Sequence, residues 1–322
     1  MRKKSIFQLF IIPLIAVMLI QAAISFGTVI SSGTTAMLDE YSVGILGQTV
    51  ENRRIILENH MVYDWSNVSE EVSQANEALA ALLERREIGM PDFQGDRDLH
   101  RELLREMLSP CLYMLRRNAV TGAFVVLTDT GVLGEDQDCE GVYFRDMDPN
   151  GNPADYSDVL MERGNSSFSR ELNIPLDSYW TTSFHFAAQG EREEDAFFYR
   201  PLTAALENPG QNYKNLAYWS QPFSLERGET IPDAYRMITY TAPLVYEDGT
   251  VYGVIGVELS EHYLTKLLPM QELGDRGQNG YLLARHDRET GLTPLVASGA
   301  VTLRTGKNGA ISTEETSFDE FL

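Results

Sequence analysis

Glu258 is an acid inside an otherwise apolar run, Val251-Tyr-Gly-Val-Ile-Gly-Val-Glu-Leu259. A carboxylate is costly to bury unpaired, so it is expected to meet a cation, a donor-rich ligand or water. At the end of a strand it can instead emerge and cap the next helix. Trp219, Tyr240 and Tyr143 can form an aromatic wall that stacks an organic ligand or cages an ammonium group, or they can be plain core. Arg145, Arg200 and Arg236 can each bind a ligand carboxylate through two parallel hydrogen bonds, or stand solvated at the surface. These residues are the candidate ligand-binding set.

Signals for catalysis are missing. The five histidines, His60, His100, His185, His262 and His286, never take His-Glu-x-x-His spacing, and no Cys-x-x-Cys is present. There is no Gly-x-Ser-x-Gly elbow and no glycine-rich phosphate loop before a lysine. The acidic stretch Asp136–Glu140 lacks the spacing of a calcium loop, and acid pairs such as Glu193-Glu194 and Glu314-Glu315 read as solvated surface. No catalytic residue, metal or cofactor is expected. The net charge of −21 repels phosphate backbones, so nucleic acid is not an expected partner. Of the two cysteines, Cys111 and Cys139, either one bridge forms outside the cytoplasm or both thiols stay unpaired.

The elements that must position these residues change character along the chain. Residues 34 to about 88 read as one long helix or two abutting ones, with Leu38, Tyr41, Ile45 and then Val68, Val72, Ala75, Leu79 and Leu82 at helical steps. Asp98–Arg117 is a second helix. Ala123–Thr128 and Gly141–Arg145 read as partner strands. Residues 146–215 are polar and loop-like, a length that usually hides short helices or a functional lid. Met237–Tyr246 and Val251–Leu259, joined through Asp248-Gly249, form a hairpin. Its second strand is apolar on both faces, hence central. Gly253 and Gly256 suggest close approach of a helix or ligand, and Ser260 caps a helix over Glu261–Leu268. Gly280–Arg285 and Thr293–Ala297 are strands of a further unit.

The N-terminus points to a membrane. Arg2, Lys3 and Lys4 precede a run without charge from Ser5 to Leu38, strongly apolar over Ile6–Ile30. About 20 apolar residues span a bilayer core, and the positive-inside rule then places everything after about residue 30 outside the cytoplasm. A cleaved signal peptide is the competing reading, with Gln21-Ala-Ala as a weak cleavage site, but its apolar region would be shorter.

Trp219-Ser-Gln-Pro-Phe223, Ile238-Thr-Tyr-Thr-Ala-Pro243, Asp248-Gly249, Gly253-Val-Ile-Gly-Val-Glu-Leu-Ser260, Tyr263-Leu264 and Gly280-Tyr281 follow one another in the order found in double Cache sensor domains. The chain resembles that family over roughly residues 34–322. The resemblance implies an α+β fold: a transmembrane helix, a long stalk helix and PAS-like antiparallel sheet subdomains. In these terms residues 1–5 are a cytoplasmic basic tail, 6–30 the transmembrane helix and 31–90 the stalk. Residues 91–268 are the membrane-distal, ligand-binding subdomain, and 269–322 the start of a membrane-proximal subdomain, expected to be cut short at Leu322.

The implied function is extracytoplasmic sensing of a small organic ligand by a membrane-anchored bacterial receptor, working as a homodimer packed along the stalk. Its output would be a histidine kinase, a diguanylate cyclase or a chemotaxis signalling domain. The segment itself is not expected to be an enzyme. A membrane-tethered or secreted hydrolase and a non-signalling binding module are the other readings. Amino-acid-binding members carry an arginine before a Trp-Tyr pair, then Tyr-x-Asp, then an aspartate on the central strand. This sequence has Phe223-Ser-Leu225 and Glu258 at the last two places, and Tyr199-Arg200-Pro201 as its nearest fragment to the first.

Overall fold

The computed structural model describes residues 6–31, 34–128, 134–224, 236–274, 279–287 and 291–299. The chain divides into two compact units, Met1–Ile55 and Ile56–Leu322.

The first unit is helical. α1 (Ile6–Ser31) carries no charged residue, and Leu14, Ile15, Met18, Leu19, Ile24 and Phe26 are exposed along it. Side chains of α1 are described only over 14–28, short of the ~20 residues that span a bilayer. Among the described residues no helix is long and apolar enough to cross a membrane. α2 (Thr34–Asn59) follows. Of the two readings over 34–88, one long helix or two abutting ones, the structure has two helices. α2 passes into a π-helical turn, His60–Trp65, breaks at Ser66–Val68, and resumes as α3 (Ser69–Arg86). His60 stacks on the buried Trp65 ring at 5.4 Å and bonds Asp64 at 2.7 Å, which ties the turn together.

In the second unit α3 and the short α4 (Met90–Phe93) lead to α5 (Arg97–Arg117). Asp96 caps α5 by accepting from the backbone N–H groups of Asp98 and Leu99. The chain then builds β1 (Gly122–Leu127), β2 (Gln137–Cys139), β3 (Gly141–Asp146), β4 (Val159–Arg163), α6 (Ser166–Leu172), β5 (Leu176–Thr181) and β6 (Phe184–Phe186). Next come α7 (Ala196–Glu207), α8 (Tyr213–Leu216), β7 (Tyr218–Trp219) and β8 (Phe223–Ser224). The hairpin β9 (Arg236–Val245) and β10 (Val251–Ser260), α9 (Glu261–Lys266), β11 (Leu282–Asp287) and β12 (Gly291–Ala297) complete the order. The polar region 146–215 thus holds three strands and two helices besides the start of α8.

One eight-stranded sheet dominates, in the order β5-β4-β3-β1-β10-β9-β7, with β8 also on β9. Its pairs are antiparallel except β4 with β5. β10 lies between β1 and β9 and is buried along its whole length, as its apolar run requires. Gly253 and Gly256 serve the sheet itself rather than a helix or ligand. A Cβ at Gly253 would run into the Val126 carbonyl, and one at Gly256 would meet the Tyr240 carbonyl at 2.5 Å and the Phe124 ring at 2.6 Å.

Successive side chains alternate between the two faces. Phe124, Val126, Tyr143 and Val254 join Phe184 and Phe186 of β6 and Phe197, Phe198 and Leu202 of α7 in one aromatic core. α5 packs on β1 and β3, and α3 on α5, so the alternating set Ala123, Val125, Phe144, Ile255 and Val257 is left to that helical layer. Among the described residues β11 pairs only with β12. Residues 300–322, on which the expected truncation of a second subdomain falls, lie outside the described residues.

The cysteines are not bridged. Cys111 is buried on α5 beside Glu71 of α3, where burial raises its thiol pKa far above the ordinary value. Cys139 sits on β2 within the aromatic core. They occupy different layers, which is why proximity in sequence brings no bond.

Candidate functional site

Three antiparallel strands place Glu258, Gly122 and Arg145 on one rung, because Gly122 pairs with both Glu258 and Arg145. Directly paired residues point the same way, so the Glu258 and Arg145 side chains share a face with Gly122 between them. Glycine is needed there. A Cβ would stand 2.5 Å from Glu258 Oε2 and 2.7 Å from the Tyr143 ring.

Glu258 is 0% exposed. The Tyr143 hydroxyl donates to its Oε2, and Thr121 Oγ1 donates to its Oε1 at 3.0 Å. Thr121 Oγ1 in turn accepts from the Ser260 N–H at 2.7 Å, and the Ser260 hydroxyl caps α9 through the Tyr263 N–H at 3.1 Å. The acid is therefore wired to the helix that follows it without capping that helix itself. Burial pushes its carboxyl above the ordinary range, against the pull of Arg145 and the Tyr143 hydrogen bond.

The row continues outward from Arg145. Arg145 Nη1 donates to Glu162 Oε2 at 3.2 Å, and Arg163 Nη1 reaches Glu162 Oε1 at 3.4 Å, the Glu162 carbonyl at 2.9 Å and the Tyr179 carbonyl at 3.1 Å. Tyr143 pairs with Arg163 and Phe144 with Met161, so Glu162 is the extra residue of a β-bulge. A bulge re-aims one side chain. Here it brings Glu162 to the same side as its cationic neighbours. Two acids and two arginines, all buried, thus alternate from the centre of the sheet toward its β5 edge.

Arg163 ends that row at a cavity of about 230 Å³, also lined by Thr181, Ser183, Phe184, Phe186, Arg192 and Asp195. Its floor is aromatic, with Phe184 stacked on Phe186 at 5.9 Å and Phe186 on Phe198 at 3.9 Å. Asp195 holds the rim. Its Oδ2 accepts from the Ala187 N–H and from Arg192 Nε, both at 3.0 Å, linking the end of β6 to the start of α7. Burial raises the Asp195 carboxyl, and Arg192 opposes it. Basic, acidic and hydroxyl groups around an apolar floor suit a small polar organic molecule. Among the described residues no group of acids, histidines or cysteines could hold a metal ion.

No protein-family model and no curated protein matches the chain. Solved structures do resemble it. The extracellular domain of a protein assigned as a histidine kinase, soHK1S-Z6, is 14% identical at a TM-score of 0.29, over 74% of this chain and 71% of that one. The ligand-binding domain of the Campylobacter jejuni chemoreceptor Tlp3, in complex with L-valine, is 13% identical at a TM-score of 0.33, over 84% and 78%. The periplasmic sensory domain of the chemoreceptor Tlp1 from the same organism is 12% identical at a TM-score of 0.32, over 76% and 71%. By name they are an extracellular domain, a ligand-binding domain and a periplasmic sensory domain.

The structure brings together only part of the nominated set. Tyr143, Arg145 and Glu258 meet in the buried row. Tyr240 and Trp219 pair across β9 and β7 with their rings 5.2 Å apart, on the other face of the sheet from Tyr143. The expected single aromatic wall does not form, because Tyr240 lies one residue out of step with Glu258's partner Thr239. Arg200 is exposed on α7, over the Tyr218 ring at 5.8 Å. Arg236 is exposed at the start of β9, 3.7 Å from Glu261. None of the nominated residues lines the cavity. Arg163, Glu162 and Thr121 were missed. A bulge leaves no periodic trace in sequence; the adjacent Glu162-Arg163 pair in an otherwise apolar strand was the available signal.

Proposed function

We propose that this chain is the extracytoplasmic sensor part of a membrane-anchored signal-transduction receptor, built as a double Cache domain. The observation that carries this reading is the cavity at Arg163, joined by a buried chain of charges to Glu258 on the central strand. A binding site alone needs a cavity; a sensor also needs the site coupled to the structural core. A small organic ligand with an anionic or strongly accepting group would compete with Glu162 and the Tyr179 carbonyl for Arg163. Loss or gain of that contact shifts the balance along Arg145 and Glu258, and through Thr121 and Ser260 reaches α9 at the exit of the sheet. The basic residues Arg2, Lys3 and Lys4 and the uncharged α1 support an N-terminal membrane anchor, with α2 as the stalk, while α3 packs on α5 and belongs to the sensor. A homodimer along that stalk, with a histidine kinase or chemotaxis output, is the working form proposed.

The test is thermal melting of the full chain in detergent against panels of organic acids, amino acids, amines, purines and sugars. At least one class is expected to raise the midpoint, and Arg163→Ala to abolish the rise. A chain that melts identically in every panel and hydrolyses ester or peptide substrates would instead be the tethered hydrolase.

A further inference from the structure

The cavity at the end of the ionic row has a floor built of parallel rings. Phe184 and Phe186 alternate with the exposed His185 on β6, so their side chains share one face. Their planes lie within 8° of each other, and those of Phe186 and Phe198 within 2°. Close approach to β3 fixes the first ring, since a Cβ at Gly141 would stand 2.7 Å from Phe184. A floor of this kind favours a flat guest, because offset-stacked aromatic planes attract beyond the area they bury.

Charge selects the sign of that guest. The wall offers the buried Arg163 and the partly buried Arg192 against Asp195 and Glu194. Asp195 already gives both its oxygens to Arg192 and the Ala187 N–H, and Glu194 is exposed. Behind Arg163, burial holds Glu258 toward its neutral form, so the row it shares with Arg145, Glu162 and Arg163 keeps an excess of positive charge. A guanidinium out of bulk water binds a carboxylate more firmly than one at the surface. Size narrows the choice further. An apolar cavity of about 150 Å³ admits benzene. The volume here, about 230 Å³, leaves room for one ring and its carboxylate.

Given the sensor reading above, on which this rests, we propose that the cavity binds a small aromatic carboxylate of the benzoate type, with the carboxylate on Arg163 and the ring layered on Phe184 and Phe186. An aliphatic acid loses the stacking, and an aromatic amine or alcohol loses the charge pairing. The bound carboxylate draws on Arg163 in competition with Glu162 and the Tyr179 carbonyl, so the same molecule fills the cavity and pulls on the end of the row.

The experiment is calorimetric titration of the full chain in detergent with benzoate, cyclohexanecarboxylate, benzyl alcohol, benzylamine and acetate. Benzoate is expected to bind, cyclohexanecarboxylate about three- to tenfold more weakly, and benzyl alcohol and benzylamine about tenfold or more weakly still. Phe184→Leu is expected to erase the preference for benzoate over cyclohexanecarboxylate, a ratio that lost stability alone does not move. Arg163→Gln is expected to weaken benzoate about tenfold or more. That change also takes a partner from Glu162, so the solute series on the unaltered chain carries the test if the variant does not fold. Preference for any other solute class over benzoate overturns the proposal and leaves the sensor reading standing. So does benzoate binding that both variants leave unchanged. A chain that binds no solute, here or in the broader panels, overturns both.

Discussion

Arg145 and Asp146 are neighbours on β3, yet they belong to two buried charge clusters that work differently. Arg145 stands in the row from Glu258 to Arg163, on the face covered by α7. Asp146 points the other way and meets Arg116 from α5. Both clusters place carboxylates out of water beside guanidinium groups, so each is held together by compensation rather than by net gain. The row runs along strands and ends at a cavity, so an outside molecule can alter it. The other is closed by the 146–158 loop, which folds round a single arginine. One strand thus carries an open ionic contact on one side and a sealed one on the other, and only the open one suits sensing.

The comparison breaks most sharply at Glu162. Glu162→Ala leaves Arg145 and Arg163 without the acid between them, and a loss of about 3–5 kcal/mol is expected in denaturant unfolding. Glu162→Gln, which keeps the shape and one acceptor, should cost less and still weaken any ligand response at Arg163. A smaller effect is expected from Gly122→Ala. The added methyl enters the space of Glu258 Oε2 and the Tyr143 ring, for a loss of about 1–3 kcal/mol. A chain as stable as the parent would show that the rung has room to spare.

The sealed cluster is read best by pH. Burial raises the Asp146 carboxyl from 3.8 to about 6, outweighing Arg116 and the Asp148 N–H. The folded state then holds that proton more tightly than the unfolded state. This contribution is fully present below about pH 4 and is lost as pH rises through about 6. Stability of the parent relative to Asp146→Asn should fall across that window by less than about 1.4 kcal/mol per pH unit, the limit for one proton. A flat difference curve from pH 4 to 7 would place Asp146 on the ordinary side of the carboxylate range.

The hairpin was plain in the sequence, since the β9 and β10 runs and the Asp248-Gly249 turn need no distant partner to be recognised. Glu258 could also be nominated, because an acid in an apolar strand must be accounted for by something. Its partners could not. Tyr143 and Thr121 approach through strand register across β1, and Glu162 through a bulge, neither of which repeats along the chain. Trp219 and Tyr240 misled for a related reason. Aromatic residues in neighbouring motifs look like one surface until the alternation of β9 assigns them to faces. The loop-like stretch 146–215 concealed β4, β5, β6 and α7 because each is short and amphipathic over few residues. Arg116, which ties Asp146 and Asp158 together, stands too far back along the chain to be connected to them from sequence.

The central pairing of β1 with β10 joins positions 137 residues apart, as at Thr121 and Glu258. During synthesis β1 therefore leaves the ribosome with one apolar edge open, and it stays open until the chain has been made past residue 260. Until then Gly122–Leu127 can pair only with β3, and its other edge is available to any foreign strand. Such distant closure also slows folding, because the intervening loop must be ordered before the contact repays it. The strand at the centre of the finished sheet is thus the last of that sheet's strands to arrive, and holdase chaperones would have their main work in the interval before it does.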